Sequence, residues 1–157
     1  MKYFKLIYLS VFFGIVSILA FFNIVYSYYL NLYLNLDTYI YTCIASIFLA
    51  IIFYFAKGND DKKITIYDKI LTILLGYLLL PLLISIPFYF SIYNLTFVNA
   101  FFESISGFTS TGFTIFDNIN HIDQSLILWR SSSQWVGGLY FLFSIILLID
   151  IFDHSFK

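Results

Sequence analysis

The chain has 157 residues, 61% of them hydrophobic and 11% charged, with a formal net charge of -1 at pH 7. Soluble domains carry roughly 45–50% apolar and about 25% charged residues, so this composition excludes an ordinary soluble fold and points to lipid as the solvent. A near-neutral chain with no basic stripe also excludes a nucleic-acid footprint.

A helix that crosses a bilayer needs about 20 apolar residues at 1.5 Å each. The first such run covers about residues 6–30. Lys2 and Lys5 precede it, as in a signal peptide, but it is too long for an h-region and lacks a clear small-residue cleavage site, so it reads as a retained helix. The second run covers about residues 38–56 and holds the single cysteine, Cys43, which can form no internal disulfide. The third covers about residues 70–93 and contains Pro81 and Pro87, each of which removes a backbone donor and predicts a kink. The fourth covers about residues 125–151.

The charges orient these spans. Lys2 and Lys5 come before the first, Lys57, Lys62, Lys63 and Lys69 lie between the second and third, and Lys157 follows the fourth. The other two links carry no Lys or Arg. The positive-inside rule therefore places both termini and the 57–69 loop in the cytoplasm, in a multi-pass protein of the cytoplasmic (inner) membrane. The polar loop marks a boundary between a two-helix segment, 1–66, and a second unit, 67–157.

Between the third and fourth spans lies Phe97-Val-Asn-Ala-Phe-Phe-Glu-Ser-Ile-Ser-Gly-Phe-Thr-Ser-Thr-Gly-Phe-Thr-Ile-Phe116. It opens with a helical pattern over about 98–106, too short to cross a bilayer. Gly107 fits a left-handed position that ends the helix. The hydroxyl-rich stretch Thr109-Ser-Thr-Gly-Phe-Thr114 follows. Taken alone, this segment fits either an external Ser/Thr/Gly-rich loop or a re-entrant pore loop. Its setting favours the pore loop, because span, half-helix, glycine-centred loop and span follow in that order. Backbone at membrane depth is tolerated where it lines a water-filled path, and its carbonyls can then replace the hydration shell of a cation. The fold class is thus an all-α membrane protein, with four transmembrane helices plus one re-entrant pore helix and filter loop between the third and fourth.

These residues carry a family resemblance. Glu103-Ser-Ile-Ser-Gly-Phe-Thr-Ser-Thr-Gly-Phe-Thr114 resembles the first pore-loop signature of the Trk/Ktr/HKT potassium transporter superfamily. Leu128-Trp-Arg-Ser-Ser-Ser-Gln-Trp-Val-Gly-Gly-Leu139 resembles that family's motif at the start of the next helix, and Ile86-Pro-Phe88 its Pro-Phe late in the preceding one. The resemblance covers about residues 70–149, and the first two spans match in architecture alone. It implies potassium uptake through a carbonyl-lined filter. Gly112 would be the filter glycine, the carbonyls of Ser110, Thr111, Gly112 and Phe113 would line the path, and Thr114 would close the filter segment. Ser110 departs from the Thr found in many relatives.

Arg130 is the only arginine and sits near the start of the fourth span. A charge there pairs or reaches water. It reads as a structural brace, anchoring the outer end of the fourth span or pairing with Glu103 behind the pore helix, with snorkelling to the interface as the alternative, and away from the filter itself, where it would repel potassium. Gly107 and Thr109 belong to the same support. Gly137 and Gly138 read as a site of close helix approach rather than a hinge. Trp129, Trp135 and Tyr140 read as interfacial or packing aromatics, and the glycosylation pattern at Asn94-Leu-Thr96 is weak. His121 and His154 stand far apart, and no Cys/His spacing suggests a metal. No nucleophile–base pair, paired acid or phosphate loop suggests an enzyme, and no cofactor is expected beyond the transported potassium.

By the resemblance, a complete pore uses four such units in one chain, whereas this sequence holds one. The favoured expectation is a fragment or split-gene piece. The alternatives are a homotetrameric channel-like protein, a partner chain carrying the remaining units, or a non-conducting membrane subunit or remnant. The family also pairs with itself and binds a cytosolic nucleotide-binding regulatory protein. The coupling ion is not legible.

Overall fold

A computed structural model describes residues 6–56, 66–117 and 122–155. Lys2, Lys5, Lys57, Lys62, Lys63, His121 and Lys157 lie outside the described residues, and with them most of the charges that orient the chain. The described residues form five α-helices and a short 3-10 turn, with no strand among them. The helices are α1 (Leu6–Tyr29), α2 (Leu36–Phe55), α3 (Ile66–Ser91), α4 (Phe97–Phe108) and α5 (Gln124–Ser155), and the 3-10 turn, Tyr33–Asn35, leads into α2. Four stretches, Ile7–Tyr29, Tyr33–Phe55, Ile66–Ser91 and Gln124–Ile149, are long and apolar enough to cross a membrane. The chain is a multi-pass membrane protein. Each expected span is present, with ends displaced by a few residues.

The helices begin and end where local chemistry dictates. At the end of α1, Asn31 takes a left-handed φ of 59°. The amides of Asn31 and Leu32 then bond back to the carbonyls of Tyr28 and Ser27, which satisfies the last free carbonyls of the helix. α4 is capped by Thr96, whose backbone is extended and whose hydroxyl accepts the amide of Asn99 at 3.3 Å. α5 starts after Asp123, whose carboxylate accepts the amide of Ser125 at 3.1 Å.

α1 and α2 pair as an antiparallel hairpin. Ser10 Oγ donates to the Ala50 carbonyl at 2.6 Å, Ser17 Oγ meets Cys43 Sγ at 3.5 Å, and Phe13 stacks on Phe53. Serines that bond backbone across a helix pair serve lipid-embedded bundles well, since no water is available to satisfy them. The hairpin docks along α5 through α1, where Phe12 packs on Tyr140 and Phe143, and on α3 and the start of α5 through the beginning of α2. Thr38 meets Ser91 at 3.3 Å, Tyr39 OH donates to Ser125 Oγ at 3.0 Å, and Asn35 Nδ2 donates to Asp123 Oδ2 at 2.7 Å.

α3 carries both prolines inside an unbroken helical run. Two side chains from other helices bond its backbone in that stretch: Ser104 Oγ reaches the Pro81 carbonyl at 2.8 Å, and Trp129 Nε1 the Ile84 carbonyl at 3.0 Å. These bonds fasten α3 to α4 and α5; the carbonyls that the prolines free are others, those of Tyr77 and Leu83, four residues before each ring. Lower down, the Tyr140 hydroxyl donates to the Thr72 carbonyl at 2.9 Å and fills the space a side chain on Gly76 would need. Trp129 and Tyr140 are buried packing residues, while Trp135 is exposed.

Candidate functional site

α4 is the one described α-helix too short to span a bilayer: twelve residues reach about 18 Å. It lies against α3 and α5, and small residues let it come close. A Cβ on Gly107 would stand 2.5 Å from Ser133 Oγ, and one on Gly137 would stand 1.6 Å from the Phe108 carbonyl oxygen. Gly137 is thus a contact glycine, whereas nothing lies within 4 Å of a Cβ on Gly138. The Phe108 ring packs edge-on against Tyr77 at 5.8 Å. Gly137 lies thirteen residues on from Gln124, and Tyr77 fourteen short of Ser91. Both helices therefore set Phe108 about 20 Å along from the end at which α4 begins.

The expected end of α4 is corrected here. The helix does not stop at Ser106 with Gly107 left-handed but continues through Gly107 to Phe108. The left-handed residue is Ser110, with φ 55°. The amides of Ser110 and Thr111 bond back to the carbonyls of Gly107 and Ser106 at 2.9 and 3.0 Å. Gly107 is needed for its lack of a side chain against α5, not for its backbone freedom.

Beyond this turn, residues 109–113 are exposed. Gly112 has φ 80°, a conformation that favours glycine. Positive φ at Ser110 and Gly112, with Thr111 between them, breaks the ordinary extended pattern in which successive carbonyls point to opposite sides. The hydroxyls of Thr109 and Thr111 meet at 2.7 Å.

Glu103 anchors the returning chain. Its carboxylate is wholly buried and accepts Arg130 Nε at 2.6 Å, the Thr114 hydroxyl at 3.0 and 3.1 Å, and the Ile115 amide at 3.2 Å. One carboxylate therefore ties α4, α5 and the loop together. A buried charge is tolerated when it is paired and its remaining lone pairs are bonded. Arg130 also reaches the loop: its Nη2 donates to the carbonyls of Phe113 at 3.2 Å and Gly112 at 3.4 Å. The Phe113 carbonyl accepts in addition from Ser106 Oγ at 2.6 Å. The sequence reading kept Arg130 away from the carbonyls of this loop; the structure brings it to two of them. Ser106 and its bond were not singled out from sequence, because one serine among several in a hydroxyl-rich stretch carries no distinguishing signal. Among the described residues no group of His, Cys, Asp and Glu side chains could hold a metal ion.

The chain is 30% identical over 127 residues to an uncharacterized cation transporter of Methanocaldococcus jannaschii, an alignment that covers 80% of the chain and 27% of that protein. It is 33% identical over 87 residues to the Trk system potassium uptake protein TrkG of Escherichia coli K12, covering 55% of the chain and 18% of TrkG. The chain is a relative of the Trk potassium uptake proteins. The TrkH protein of the same organism aligns over the same length at 30% identity. The chain spans about a fifth to a quarter of the length of these relatives. Neither a family model nor a solved structure matches it. The relatives are named as transporters and uptake proteins.

Proposed function

We propose that the chain supplies one pore-lining unit for potassium uptake across the cytoplasmic membrane. In this reading α3, α4, the 109–114 loop and α5 form a span, a re-entrant pore helix, a filter segment and a second span. Residues 1–66 are a separate two-helix segment packed beside residues 67–157. Both termini face the cytoplasm, so potassium enters from the side on which α4 begins.

What supports this most is the mid-depth loop tied to a buried ion pair. The end of α4 sits about 20 Å along α3 and α5, and the exposed backbone after it is fastened by Glu103 and Arg130. Such backbone has no place against lipid and fits a water-filled path. The C-terminus of α4 directs its partial negative charge toward that path, and the hydroxyls of Thr109, Ser110 and Thr111 add oxygens without fixed charge. One loop cannot close a ring of carbonyls. Further units, from another chain or from copies of this one, complete the pathway, and a cytosolic nucleotide-binding regulatory subunit is a candidate partner.

Rubidium flux into proteoliposomes holding the purified chain, with and without added pore units of a Trk-type relative, tests this. Flux that prefers potassium and rubidium over sodium is expected in the complete assembly, with selectivity weakened by Gly112→Ser. Unchanged selectivity in that variant would remove the filter assignment.

A further inference from the structure

Building on the filter reading above, we infer that Arg130 and a permeant monovalent cation compete for the carbonyl oxygen of Phe113. A carbonyl oxygen offers two lone pairs. At Phe113 one accepts Ser106 Oγ at 2.6 Å and the other Arg130 Nη2 at 3.2 Å. Both are in use, so a cation can coordinate this oxygen only by displacing a donor.

The geometry indicates which donor yields. The Ser106 bond is short, and Ser106 is buried. The Arg130 contact is longer and is divided with the Gly112 carbonyl at 3.4 Å. Arg130 also has a second hold, since its Nε stays on Glu103 Oε1 at 2.6 Å. The guanidinium can therefore release the loop without leaving its carboxylate.

The arrangement already binds positive charge. The carbonyls of two consecutive residues, Gly112 and Phe113, converge on one cationic nitrogen. That convergence needs the left-handed backbone at Gly112. Arg130 is a tethered competitor that raises the potassium concentration needed to fill this position. A filter site has to bind weakly enough to let its ion leave, and an internal competitor contributes to that weakness.

The test is a potassium titration of the isotope-labelled full chain, assembled with unlabelled pore units of a Trk-type relative, in phosphatidylethanolamine–phosphatidylglycerol nanodiscs. It is read by the carbonyl 13C shifts of residues 110–113 and the Nη 15N shifts of Arg130. In the unaltered chain the Phe113 carbonyl and the Arg130 Nη signals are expected to move together. Ser106→Ala frees a lone pair and keeps the ion pair. The double variant Glu103→Gln with Arg130→Gln removes the tethered charge and leaves no carboxylate unpaired. Each is expected to lower the half-saturating potassium concentration on the order of tenfold, the scale of one hydrogen bond.

If Phe113 responds while Arg130 stays still, or if both variants titrate like the unaltered chain, the competition is refuted. Should Ser110 and Thr111 respond without Phe113, the filter reading stands and the competition falls. A loop in which no carbonyl responds at any potassium concentration would remove both. Where a variant fails to fold, the paired movement in the unaltered chain decides alone.

Discussion

The carbonyl oxygen of Phe108 occupies the position that a side chain on Gly137 would need, 1.6 Å from an ideal Cβ. The obstacle is backbone, so it cannot swing aside. Gly137→Ala is expected to push α4 away from α5 and to destabilise the chain by about 1–3 kcal/mol, the range for overpacking a close contact. Gly138→Ala meets open space and is expected to leave stability within about 0.5 kcal/mol. Thermal unfolding of the two variants in detergent checks the contrast. Equal effects would mean that the approach of α4 to α5 is misplaced.

The Glu103–Arg130 pair predicts an unequal response to its two halves. Removing Arg130 leaves a wholly buried carboxylate with no cation, whereas removing Glu103 leaves a guanidinium that is partly exposed and still touches two carbonyls. Arg130→Ala is expected to cost about 3–5 kcal/mol, and Glu103→Ala less. The double substitution is expected to fall well short of the sum, because the groups act as one unit. A double-mutant cycle by thermal unfolding measures this, and additive effects would show that the pair does not hold the loop.

Two left-handed residues in one loop predict opposite outcomes. Ser110 adopts φ 55° despite its side chain, so Ser110→Gly relieves strain and is expected to stabilise the turn by up to about 1 kcal/mol. Gly112→Ala introduces the same strain at φ 80° and is expected to cost about 1–2 kcal/mol, although its Cβ would touch nothing. Unfolding midpoints of the two variants should move in opposite directions.

The hairpin of α1 and α2 predicts an effect at a distance in sequence. Asn35 and Tyr39 bond Asp123 and Ser125, at the start of α5. Asn35→Ala and Tyr39→Phe each remove one bond worth about 1 kcal/mol. Amide exchange at the first turns of α5 is expected to quicken about fivefold in each variant. Exchange confined to α2 would show that the hairpin does not steady α5.

Much of the fold was legible because a bilayer makes spans easy to read. Long apolar runs without charge have few alternatives, and α1, α2, α3 and α5 follow from them. The short helix α4 was legible from its brevity between two such runs. Its end was not, because a glycine near a helix terminus invites a backbone explanation. Gly107 instead serves packing, and Ser110 takes the left-handed position. Glu103 and Arg130 stood out as lone charges in apolar surroundings. Their contact spans 27 residues and could be guessed only as a pairing of the available charges. The bonds from Ser106 and Arg130 to the Phe113 carbonyl were out of reach, since backbone oxygens leave no mark in a sequence.

The position of α4 has a consequence for how the chain is made. Ser133, Gly137 and Arg130, which receive the short helix, are all synthesised after it. At twelve residues α4 is too short to be inserted as an independent span. Glu103 therefore leaves the ribosome before its countercharge exists. The order of assembly must be spans first and short helix second, with α4 waiting at the membrane surface until α5 has been threaded and can draw it in.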